Sequence, residues 1–133
     1  MIGEPADPRA RATVPWILVV LALGLHLWGL YTPDPPDPGA LSFPGIDKLA
    51  HVVLFAVPTW ALVKALPKAW MGIVAMVIHV PVSEVVQATF LAGSRGGEWL
   101  DALADLVGIA VGWWTAVRAD PLRQLPAAKA DAP

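Results

Sequence analysis

The sequence predicts an all-α, polytopic membrane protein with four transmembrane helices and both termini cytoplasmic. Three observations carry that prediction. Hydrophobic residues make up 56% of the 133 positions and charged residues only 15%, against roughly 25% charged in a soluble domain. Mean hydropathy is +0.59, more apolar surface than one core of this length can hide. The apolar residues are also gathered into four stretches, with the basic residues concentrated at alternate ends of them.

The first stretch, Val14 to Tyr31, has no formal charge and lies between Pro15 and Pro33. At about 1.5 Å per residue it reaches roughly 27 Å, enough to span a bilayer. Arg9 and Arg11 before it give the start of the chain some look of a signal peptide. The run is long for one, and no small-x-small cleavage site precedes Pro33-Asp34-Pro35-Pro36-Asp37-Pro38, so it is read as a retained helix. That proline-rich linker is expected to be extended. The second span runs from Ile46 to Leu66 and is ended by Pro67. The third runs from Ala69 to Leu91, before a loop marked by Gly93, Gly96 and Gly97. The fourth runs from Trp99 to Val117 and stops before Arg118, Asp120 and Pro121. Pro58 and Pro81 each remove an amide from a span and are expected to kink it. The expected organisation is a cytoplasmic segment over 1–13, a four-helix domain over 14–117 and a disordered cytoplasmic tail over 118–133.

Orientation follows from the basic residues. Arg9, Arg11, Lys64, Lys68, Arg118, Arg123 and Lys129 all fall on one side, leaving only Lys48 and Arg95 on the other. The positive-inside rule makes the first side cytoplasmic, with the proline linker and the Gly93–Gly97 loop outside. A net charge of -2 argues against nucleic acid as a partner. With no cysteine there is no thiolate nucleophile, thiolate metal site or disulfide.

In this topology the polar residues of three spans converge on the outer side. Asp47, Lys48 and His51 occupy the first turns of span two, Glu84 and Gln87 the last turns of span three, and Asp101 and Asp105 the first turns of span four. Asp47/His51 and Asp101/Asp105 are i,i+4 pairs, each sharing a helical face. Ionisable groups inside a bilayer are costly and commonly functional. Plainer roles stand beside this one. Asp47 and Asp101 suit N-caps, Lys48 a headgroup anchor and Gln87 helix–helix glue. Glu84 suits a structural ion pair with Lys48, Arg95 or His51. His79, deeper in span three, is expected to hydrogen-bond a neighbouring helix. Gly108 and Gly112 form a G-x-x-x-G that would let another helix approach span four closely.

Asp47-Lys48-Leu49-Ala50-His51, then Glu84-x-x-Gln87, Arg95, and Asp101-x-x-x-Asp105-x-x-Gly108-x-x-x-Gly112 together resemble the VanZ-like family of small bacterial membrane proteins. That pattern carries D-K-x-x-H, E-x-x-Q, R and D-x-x-x-N/D-x-x-G in this order. The resemblance covers roughly residues 46–113. Asp105 stands where the family often has Asn, and Val52 follows the histidine where an aromatic is often found. The resemblance implies a polytopic protein of the bacterial envelope and an association with reduced susceptibility to the glycopeptide teicoplanin. It implies no defined reaction.

Four functions are compatible with these residues. The first is binding or modification of an amphiphile at the outer leaflet, a lipid-linked precursor or a lipophilic drug, with Asp47, Lys48, Gln87 and Arg95 in the binding role. The second is a small intramembrane hydrolase or transferase, with Glu84, Asp101, Asp105 and His51 as an acid–base cluster. In a metal-assisted form of it, Asp47, His51, Glu84, Asp101 and Asp105 are the available donors for Mg²⁺, Mn²⁺ or Zn²⁺, although no metal-specific spacing is present. No cofactor is assigned. The third, an ion pathway, is disfavoured because the cytoplasmic halves of spans two to four are nearly all apolar. The fourth is a structural partner subunit whose polar layer only fixes helix register. Membrane lipids are the expected surroundings in every case.

Overall fold

The computed structural model describes residues 8–33, 43–91 and 99–118, with side chains from Trp16 onward in the first helix. These residues form four α-helices and no strand: α1 (Pro8–Tyr31), α2 (Ile46–Ala65), α3 (Ala69–Phe90) and α4 (Trp99–Arg118). The helix ends fall within a residue of the sequence expectation except at the start of α1. That helix begins at Pro8 rather than Val14, and α4 includes Arg118. The apolar run marks where a lipid-compatible surface begins, not where helical backbone begins. Proline is tolerated in the first turn, and Arg9, Ala10, Arg11 and Ala12 are good helix formers that extend the helix outward. The proline linker from Asp34 onward, the Gly93–Gly97 loop and the tail beyond Arg118 lie outside the described residues, so Arg95 does too.

Local chemistry sets the boundaries. Gly45 takes the N-cap position of α2 in the left-handed conformation, at φ 89° and ψ 7°, a geometry glycine adopts without steric cost. Asp47 is therefore not the cap. It sits one residue inside α2, and no side chain caps this end. At the other end Leu66 turns extended, at φ -83° and ψ 148°, as Pro67 requires of its predecessor.

Helix α2 is the centre of the bundle, packed against all three others, while α3 also contacts α4. The closest approach is between α2 and α4. A Cβ at Gly108 would run into the carbonyl oxygen of Val52, and one at Gly112 into that of Ala56. The G-x-x-x-G stripe thus lets two backbones meet where any larger side chain would hold them apart. Leu30, Phe55, Met76, Val80 and Ile109 form the main apolar core, and Val19, Ala22 and Ala61 a smaller one between α1 and α2.

The distribution of polarity is inverted relative to a water-soluble bundle. Leu21, Trp28, Ile78, Val85, Leu103 and Trp114 are each more than half exposed, while His26, His51, Thr59, Ser83, Gln87, Asp101 and Asp105 are buried. Helices α2, α3 and α4 are long and apolar enough to cross a membrane, and the described apolar part of α1, Trp16–Tyr31, is shorter. Trp70, Trp113 and Trp114 cluster at the end of the bundle that carries Lys64, Lys68 and Arg118. Trp28 and Trp99 lie at the opposite end, and all five are exposed. Tryptophan at both ends is the pattern favoured at membrane–water interfaces. The Arg118 guanidinium stacks 4.4 Å from the Trp114 ring centre, covering apolar surface while its charge stays at the rim.

Candidate functional site

The start of α2, the end of α3 and the start of α4 come together at one end of the bundle. Each contributes charged side chains there, where its otherwise apolar pattern is broken. From α2, Lys48 Nζ lies 2.7 Å from Asp47 Oδ2 and 2.5 Å from Asp101 Oδ1 of α4. One ammonium thus bridges an exposed carboxylate and a buried one. Asp101, read in the sequence as a possible cap, instead turns inward within the first turn of α4 to meet this lysine.

One turn deeper, His51 Nδ1 lies 2.8 Å from Asp105 Oδ1. Asp105 is fully buried, and His51 is 6% exposed. His51 Nε2 is also 4.0 Å from Asp101 Oδ1, so the imidazole stands between the two aspartates. Gly108 makes this contact possible. By letting α4 approach the backbone of α2, it places Asp105, one turn earlier on the same face, within reach of His51. The i,i+4 spacings read from the sequence thus become two ladders facing each other, Asp47/His51 on α2 and Asp101/Asp105 on α4.

Glu84 enters from α3. Its Oε1 is buried and has no hydrogen-bond partner among the described residues, and the same holds for Asp105 Oδ2. His51, Glu84 and Asp105 each offer one donor atom, and these atoms lie within 4.8 Å of one another. Gln87, one turn after Glu84, is 1% exposed and faces α1. Its Nε2 donates to the carbonyl oxygen of Leu30 at 3.0 Å. Carbonyls in a helix's last turn have no intrahelical donor, so this amide ties the end of α1 to α3 beside the cluster.

A second polar layer lies beneath. His79 Nε2 is 3.2 Å from Tyr31 Oη, the inter-helix hydrogen bond expected of it. His26 Nδ1 donates to the carbonyl oxygen of Leu54 at 2.7 Å. The His26 ring packs edge-on against Phe55 at 4.8 Å and lies 4.9 Å from that of His79. The sequence assigns no role to His26, and Tyr31 figures in it only as the end of the first span. The signal for His26 was a lone imidazole in the middle of a charge-free run, together with a proline in the next span that must leave one carbonyl in need of a donor.

Comparison with models of known protein families, with curated proteins and with solved structures gives no match to this chain. The resemblance to the VanZ-like pattern rests on the motif residues and their order. Of these, the structure groups Asp47, Lys48, His51, Glu84, Asp101 and Asp105 in one cluster, with Gln87 at its edge.

Chemically, the cluster is rich in acceptors and poor in donors. Among the described residues, four carboxylates (Asp47, Glu84, Asp101 and Asp105) face one ammonium and one imidazole. Such a set can hold a cation, or exchange protons through the His51–Asp105 pair. A bare anion would be repelled by it.

Proposed function

We propose that the chain is a VanZ-like integral membrane protein of the bacterial cytoplasmic membrane, crossing it four times with both termini inside. In this reading the polar cluster opens toward the outer face and binds or modifies an amphiphile. The ligand is a lipid-linked envelope precursor or a lipophilic glycopeptide such as teicoplanin. One observation carries the proposal: a buried, charged cluster at one end of a bundle whose outward faces are apolar. Buried charges of this kind are costly, and inside a membrane they commonly mark a ligand or a reaction. An amphiphile fits both halves of the arrangement, its tail against the exposed apolar faces of α2 to α4 and its polar head at the cluster.

The basic residues support the orientation, since Lys64, Lys68 and Arg118 lie at the end of the bundle away from the cluster. Lys48, and Arg95 from the outer loop, supply positive charge for a headgroup, and Glu84, Asp101, Asp105 and His51 the acid–base groups if the bound molecule is modified.

Native mass spectrometry of the gently solubilised protein tests the reading. Retention of a lipid-sized mass by the wild type, and its loss from Lys48→Ala or Arg95→Ala, is the expected result. A folded wild type free of any such mass, with or without added lipid extract, would point to a register-fixing role for the polar layer.

A further inference from the structure

We propose that His51, Glu84 and Asp105 form a binding site for a first-row divalent cation, with Zn²⁺ or Mn²⁺ as its occupant. The three residues come from three different helices, α2, α3 and α4, and their donor atoms lie within 4.8 Å of one another. An octahedral cation with ligands at about 2.1 Å, such as Mn²⁺, separates neighbouring donors by about 3 Å and opposite ones by about 4.2 Å, and tetrahedral Zn²⁺ separates all of its donors by about 3.4 Å. His51 Nδ1 and Asp105 Oδ1, hydrogen-bonded at 2.8 Å, are close to the first value, so a cation there takes the place of the shared proton. Donors within 4.8 Å of one another close onto octahedral spacing with a shift of about half an ångström and onto tetrahedral spacing with a larger one.

The second observation is independent of the grouping. Asp105 is fully buried, yet among the described residues its Oδ2 has no hydrogen-bond partner, and the buried Oε1 of Glu84 has none either. Buried carboxylate oxygens left without donors are expensive. Lys48 reaches Asp47 and Asp101 at the mouth of the cluster, one turn shallower than Asp105. Two carboxylates and a neutral imidazole balance a doubly charged cation. The donor set also selects the class of ion. Ca²⁺ takes six to eight oxygen ligands, and Mg²⁺ keeps most of its water, whereas one imidazole with two carboxylates suits Mn²⁺ or Zn²⁺.

The site deepens the amphiphile reading and rests on it in one respect. Three protein donors leave coordination positions open, and an oxygen of an anionic headgroup completes the shell. The cation thereby lowers the repulsion that four carboxylates would otherwise exert on a phosphate and offers its oxygen a direct ligand position.

The full chain, purified in mild detergent and stripped with chelator, is titrated with Zn²⁺ and separately with Mn²⁺. Native mass spectrometry and thermal unfolding are the readouts. One equivalent should bind the wild type and raise its melting temperature. Glu84→Gln and His51→Gln should each weaken binding by at least about tenfold, while His79→Gln, which alters an imidazole outside the triad, should not. If a triad variant fails to fold, zinc absorption spectroscopy of the loaded wild type decides. One imidazole with oxygen neighbours supports the site; an all-oxygen or multi-imidazole shell overturns it. Folded wild type that takes up neither ion at millimolar concentration overturns it, as does equal binding by all variants. The two proposals fail separately. Metal uptake with no amphiphile retained leaves the cation site standing, and amphiphile retained without metal uptake leaves only the earlier reading.

Discussion

His26 donates its Nδ1 proton to the carbonyl oxygen of Leu54, 2.7 Å away on the neighbouring helix. Leu54 is the residue four before Pro58, whose ring nitrogen carries no proton, so its carbonyl lacks the usual helical donor. An imidazole from α1 takes the place of the missing amide. A proline in one span and a histidine in another therefore form a single structural unit, which locks α1 onto the central helix.

Removing that donor leaves a buried carbonyl unsatisfied. His26→Leu is expected to cost about 1–3 kcal/mol. Pro58→Ala restores an amide at position 58, so the double variant should lose less than the two single losses added together. Chemical denaturation in micelles, arranged as a double-mutant cycle, measures the coupling. Simple additivity would separate the histidine from the proline.

The glycine stripe gives a second test. Gly108→Ala and Gly112→Ala each place a methyl group against backbone carbonyl oxygen of α2, and backbone cannot step aside as a side chain can. A loss of about 1–3 kcal/mol is expected for each. Gly24→Ala, which meets no atom within 4 Å, should be neutral or slightly stabilising. Thermal unfolding of the three variants under one detergent condition provides the comparison.

At Asp105 charge and shape can be separated. Asp105→Asn keeps an oxygen for His51 Nδ1 and should fold with a melting temperature close to wild type. Asp105→Leu removes the acceptor and should cost about 1–3 kcal/mol, because His51 is then left buried without its partner. A severe folding defect in the asparagine variant would indicate that the negative charge, not the hydrogen bond, holds α4 to α2.

Because the chain contains no cysteine, single cysteines report topology without background. Cysteine introduced at Gly39 or Ser94 should react with a membrane-impermeant maleimide added outside intact cells, and cysteine at Lys68 only after permeabilisation. The reverse pattern would place the polar cluster on the cytoplasmic side and overturn the outer-leaflet assignment.

Expression in a glycopeptide-sensitive host examines the biological reading. The wild type is expected to lower susceptibility to teicoplanin, and Glu84→Gln to abolish that effect while still reaching the membrane at wild-type abundance. Protection that survives Glu84→Gln, Lys48→Ala and Asp101→Asn alike would remove the cluster from the explanation.

The sequence by itself determined the helices and the end of the bundle at which the polar residues gather. Length and apolarity mark the helices, Pro67 marks the end of α2, and rise per residue places Asp47, His51, Glu84, Asp101 and Asp105 near one end once the helices alternate in direction. These are local properties, set by backbone geometry and solvent preference. Pairing is not local, and only the tertiary structure decided it. Lys48 chooses Asp101 as well as its neighbour Asp47, His51 chooses Asp105, and Gln87 turns away to the end of α1. Each choice depends on which helix faces meet, and for Lys48 and His51 that was set by the two glycines that let α4 close on α2. His26 escaped notice for the same reason. Its role exists only because α1 packs where Pro58 leaves a carbonyl open, and no pattern within either span alone reveals that they touch.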